Sequence, residues 1–70
     1  LSSVEKNVYL AAQDIKSQDD IVETKHILDH TFTQKMSRPT FFRALKSIQE
    51  KGLLVNAPSK KVGLFIVNNI

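Results

Sequence analysis

Seventy residues, 41% of them hydrophobic, make one domain with a small core; a chain of that size buries roughly 60% of the surface its unfolded form exposes. There is no cysteine, which excludes a disulfide framework and a thiolate zinc site. Net charge is +3, and no apolar run approaches the ~20 residues of a membrane span or the pattern of a secretory leader.

The chain starts at Leu1 rather than methionine, so we expect a domain cut from a longer protein. Leu1 to about Ser17 reads as a first helix. Ser2 or Ser3 can cap it, and Glu5 lies in the first turn, where the helix dipole favours an acid. Val4, Val8, Ala11, Ala12 and Ile15 repeat at helical spacing and form its buried stripe. Tyr9 and Leu10 fall off that stripe. They are expected against a neighbouring strand, with another domain or chain as the alternative.

Residues 17–20 are a polar break. Ile21–Val22–Glu23 is β-prone and reads as a short strand, with the lead-in to a helix as the alternative. Thr24 can cap a second helix through about Phe32 or Thr33, with Ile27, Leu28 and Phe32 as its core residues. So short a helix holds only by packing on its neighbours. Thr33 to Met36 then makes a tight connection, and two helices so joined form a helix-turn-helix unit.

Met36 to Gly52 carries the clearest signals. Ser37 is a good N-cap, Pro39 falls in the first turn, and Gly52 sits where a left-handed C-terminal residue is wanted. Phe41, Ala44, Leu45 and Ile48 share one face at three- and four-residue steps. The opposite face carries Thr40, Arg43, Lys46, Ser47 and Glu50. Phe42 is adjacent to Phe41, so the two cannot both point inward. It is expected on the flank, packed under the second helix or the hairpin, with aromatic stacking as the alternative.

After Gly52 the period changes. Leu53–Leu54–Val55 is a β-like run, residues 56–61 have turn composition, and Val62 to Val67 is a second β-rich run. Together they read as an antiparallel hairpin, whose loop is expected beside the third helix. Gly63 marks a bulge or a close backbone approach. The fold class is therefore α+β, mainly α: a three-helix core, a short strand after the first helix and a C-terminal two-stranded hairpin.

Charge is unevenly divided. Leu1 to Phe32 holds three lysines against six acids, a net of −3, while Thr33 to Ile70 holds seven bases against Glu50 alone, a net of +6. A cationic half suits a polyanionic partner. The outward side of the third helix is positive and rich in donors, as a helix presented to nucleic acid needs to be.

The series MSRPTFFRALKSIQEKGLLV, followed by the loop APSKK and the strand VGLFIV, resembles a winged-helix (winged helix-turn-helix) domain. It is similar to GntR- and MarR-type regulators, to the C-terminal domains of AAA+ replication initiators of the origin-recognition group, and to plasmid and phage replication proteins. The resemblance covers nearly the whole chain. It implies double-stranded DNA as the partner, with the helix at about 38–51 in the major groove. Arg38, Thr40, Arg43 and Ser47 would approach base edges or flanking phosphates. Lys46 suits a phosphate better, because an ammonium is a point charge without a fork. Lys60 and Lys61, in a wing at about 58–62, would reach phosphates or the adjacent minor groove, and Lys35 would contact the backbone. The glycine-rich, arginine-bearing wing tip of the family is replaced here by Pro58–Ser59–Lys60–Lys61.

His26 and His30 stand four apart, a spacing at which two histidines can share a metal, but no H-E-x-x-H, cysteine or third ligand accompanies them. Asp19 and Asp20 fall in a turn without an acid–base partner. No phosphate-cradling glycine loop or nucleophile signature is present, so neither enzyme activity, a cofactor nor a metal is expected. The place of action implied is intracellular, in cytoplasm, nucleoid or nucleus, in replication or transcription, with no membrane partner. The other reading is a protein-binding or dimerising winged helix that uses the face of the first helix toward another domain or a second copy.

Overall fold

The computed structural model describes residues 1–16, 20–58 and 63–68. Residues 17–19 of the expected polar break, residues 59–61 of the expected loop with Lys60 and Lys61, Val62 of the expected second strand, and the position of that loop beside the third helix lie outside them.

α1 spans Ser3–Lys16. Its start is a reciprocal cap: the Ser2 hydroxyl accepts from the Glu5 backbone N–H, and a Glu5 carboxylate oxygen accepts from the Ser2 N–H, each at 3.2 Å. Val8, Ala11 and Ala12 are fully buried, and Val4 and Ile15 pack half-buried on the core. Tyr9 also packs there, and its hydroxyl donates to the Asn68 carbonyl at 2.8 Å, beside the last strand as expected. Leu10 does not: it is 47% exposed.

β1 is Val22–Glu23, which settles the β-prone piece as a strand. α2 follows as Thr24–Leu28, five residues that stop well short of Phe32. Two expectations fail here. Thr24 is the first helical residue, not the cap; its hydroxyl donates to the Gly63 carbonyl at 2.9 Å, so it ties the helix to the hairpin. Phe32 is 50% exposed, because the chain has left the helix before reaching it. The buried residue is Thr33, whose hydroxyl hydrogen goes to the Ile27 carbonyl, with the carbonyls of Leu28 and His30 each 3.2 Å from the same oxygen. Helix ends leave carbonyls without intrahelical partners. The inward-facing hydroxyl brings one hydrogen to this cluster, in which the Ile27 and His30 carbonyls also accept backbone N–H groups from His30, Thr33 and Gln34. The connection to the next helix therefore runs from Asp29 to Ser37 rather than from Thr33.

α3 spans Arg38–Glu50, with ends where the sequence marks them. Ser37 is the cap, its hydroxyl accepting from the Thr40 N–H at 3.3 Å. Gly52 adopts φ +78 and closes the far end. The Gly52 N–H bonds to the Gln49 carbonyl and the Leu53 N–H to the Ile48 carbonyl, the pattern of a Schellman motif with its apolar pair Ile48 and Leu53 in the core. Phe41, Ala44, Leu45 and Ile48 are all buried.

β2 is Leu54–Asn56 and β3 is Leu64–Val67. The antiparallel sheet has the order β1-β3-β2, with Val22 opposite Phe65 and Leu54 opposite Val67. Those four side chains point to one face and into the core, while Val55 and Ile66 alternate outward. Gly63, at φ +85, is the close approach: its carbonyl takes both the N–H and the hydroxyl of Thr24. A Cβ there would meet the Thr24 hydroxyl at 3.3 Å. The result is a small α+β domain of three helices and a three-stranded antiparallel sheet around one core. No described helix is long and apolar enough to cross a membrane.

Candidate nucleic-acid interface

α3 is held on two sides. Its apolar face lies in the core, and one flank rests against the start of α1. Glu5 makes the second attachment. The carboxylate oxygen not used in the cap accepts from the Ser47 hydroxyl at 2.8 Å and from the Lys51 ammonium at 2.6 Å. The Lys51 ammonium, the Ser47 hydroxyl and the Ser2 N–H, in that order, all favour the ionised form and hold the Glu5 carboxyl at about 2, below its ordinary 4.5. One acid thus caps its own helix and pins a second one.

This contact sorts the expected site residues. Ser47 is half-buried and gives its hydroxyl hydrogen to Glu5, so it offers a ligand lone pairs only. Thr40 is half-buried too, and its hydroxyl accepts from Ser37 at 2.8 Å. With Arg43 they line a cleft of about 260 Å³ whose other wall is Ser2, Val4 and Glu5 of the α1 start.

Arg43 and Lys46 are exposed on the side of α3 away from the core, and Arg38 is exposed at its first position. Lys35 is exposed in the connection before it. Among the described residues none of these four cations is in an ion pair; the acid nearest at hand in sequence to α3's far end, Glu50, is exposed, and Glu5 is taken by Lys51. Arg38 borders a second, more polar cleft of about 300 Å³ with Leu28, Asp29, Gln34 and Met36. Four bases standing free on and before one helix form a positive strip.

Phe42 stands on the flank of α3 and is more open than expected. It is 47% exposed, and its ring meets that of buried Phe41 edge-on, centroids 5.1 Å apart. The signal that could have placed it is its spacing: Arg38, Phe42 and Lys46 fall at four-residue steps and form a ridge.

The two histidines do not converge. The His26 ring turns to Glu23 at 3.2 Å, and the His30 ring to Asp14 of α1 at 2.7 Å. The other ring nitrogen of His30 accepts from the Phe32 N–H at 3.1 Å, so the nitrogen facing Asp14 carries the hydrogen. Among the described residues no three His, Asp or Glu side chains gather as a metal site. The chain matches no known protein family, no curated protein and no solved structure.

Proposed function

We propose that this is a winged helix-turn-helix domain that binds double-stranded DNA, with α3 in the major groove and the 58–62 loop as a wing. The observation that carries the reading is the division of α3: four buried apolar residues on one side, and Arg43 and Lys46 exposed and unpaired on the other, with Arg38 and Lys35 exposed at its start. A helix anchored from behind with free cations in front can present them to phosphates and base edges together. The element order supports it as well. A strand after the first helix, a short helix before α3 and two closing strands make the arrangement a winged helix requires.

In this role Arg43 supplies a planar fork that fits guanine O6 and N7, while Lys35 and Lys46 act on phosphates. Lys60 and Lys61 add charge from the loop. The domain would serve as the DNA anchor of a replication or transcription protein, and its place would be intracellular, where duplex DNA is.

About five phosphate contacts give a log–log slope of affinity against salt of about −4 to −5. Titrating the protein with a short duplex at several salt concentrations measures it. A steep slope that becomes shallower by about 2 in the Arg43→Ala, Lys46→Ala double variant supports the proposal. A flat response to salt rejects it.

One observation favours the other reading, a protein-binding module. Leu10 leaves an apolar side chain on the outer face of α1. Tyr9 does not extend that surface, because its hydroxyl is held by Asn68.

A further inference from the structure

The geometry points to Phe42 as a residue that selects duplexes by a methyl group in the major groove, that of thymine. This inference rests on the duplex-binding reading and adds what the helix would read. Phe42 lies midway along the exposed Arg38–Phe42–Lys46 ridge, one helical turn from a cation on either side. Its half-exposed ring abuts only its buried neighbour Phe41 among the ring contacts described, at an interplanar angle of 80°. That edge-on contact with a core residue limits where the ring can go, so the apolar surface is held ready rather than folded back into the protein.

Water-exposed aromatic surface of this size is unfavourable unless something covers it. On a ridge whose other members are cations, the covering surface must tolerate positive charge a few ångströms to each side. The major groove does so: phosphates flank it, and its floor carries one kind of apolar group, the C5-methyl of thymine. A hydrocarbon edge between two cations matches a methyl between two phosphate rows. Arg43, one residue on, remains free to take a guanine or a phosphate beside it. An apolar protein pocket would cover the ring equally well but would leave Arg38 and Lys46 facing low-dielectric surface without partners, at a desolvation cost.

The test compares duplexes that differ by that methyl alone. Four short probes of equal length are used: alternating dA–dT, the same with deoxyuridine for thymidine, alternating dG–dC, and the same with 5-methylcytosine. Removing one methyl-sized contact corresponds to about fourfold in affinity. The wild-type protein should therefore bind the dT probe about fourfold tighter than the dU probe, and the methylated dG–dC probe tighter than its unmethylated form. Phe42→Ser should bind both members of each pair equally, and Phe42→Leu should keep the preference. Unfolding curves should show both variants folded, with Phe42→Ser a little less stable than wild type because the edge-on contact with Phe41 is lost. A wild-type preference that survives in Phe42→Ser, or no wild-type preference on probes that do bind, overturns the assignment to Phe42 while leaving duplex binding intact. Failure of every probe to bind overturns the duplex reading and this inference with it.

Discussion

The two flanks of α3 carry similar side chains to different ends. On the flank toward α1, Lys51 and Ser47 converge on Glu5 and are used up inside the fold. On the outer side, Arg43 and Lys46 meet no acid among the described residues. A count of charges treats Lys51, Arg43 and Lys46 alike. What separates them is whether a carboxylate from another helix lies within reach, and only one does. The lesson is that an overall excess of positive charge is divided by the fold into a structural share and a free share, and only the free share can hold a partner.

The comparison can be broken most forcefully from the core side. Phe41→Ala empties the anchor that faces α3 inward and should cost about 3–5 kcal/mol, read as a lower urea midpoint; both flanks should lose their definition together. Thr33→Val comes next. It removes the one hydroxyl hydrogen given to this cluster of carbonyls, those of Ile27, Leu28 and His30, two of which keep a backbone N–H, at a cost of about 1 kcal/mol. Gly52→Ala strains the left-handed residue that ends α3 and should cost about 1 kcal/mol. Nothing lies within 4 Å of the added carbon, so the effect is one of backbone alone.

Glu5→Gln tests the inner flank, with a smaller effect. The Glu5 carboxyl titrates at about 2 in the folded chain against an ordinary 4.5. The folded state thus binds this proton less readily than the unfolded one. Its contribution to stability is fully present above 4.5 and is lost as pH falls toward 2. Thermal midpoints followed across that range should drop for wild type and drop less for Glu5→Gln. On the outer flank, Lys46→Ala should change stability by less than about 0.5 kcal/mol, measured in urea. Equal stability losses at Glu5 and Lys46 would erase the distinction between the two sides.

How much of this was legible in the sequence depends on how local the cause is. α3 was readable to within a residue at its start, because Ser37, Pro39 and Gly52 each act on the backbone beside them. The buried stripes of α1 and α3 were legible for the same reason, while β3 was legible as a strand from its composition and its inward and outward sides were not, since all four residues are apolar. α2 was not. Its start is tied to the carbonyl of Gly63, far along the chain, and its end is set by Thr33, a polar residue that turns inward. Neither leaves a periodic trace. In the candidate site, the exposure of Arg43 and Lys46 followed from helical spacing alone. Ser47 has the same spacing but lies against Glu5, 42 residues earlier, and no pattern within α3 announces that. Phe42 was placed on the flank by its neighbour, but how far it stands open was not legible. It is exposed because Phe41 already fills the position one residue round the helix.

The account rests on α3 meeting duplex DNA with its outer side, and backbone amide shifts report that directly. With a short duplex added to isotopically labelled protein, the account predicts shift changes concentrated at residues 35–51 and 59–62, with residues 5–16 nearly unmoved. Silence at 35–51 while residues 5–16 shift, on added duplex or on self-association, would contradict it and favour a protein-binding face on α1.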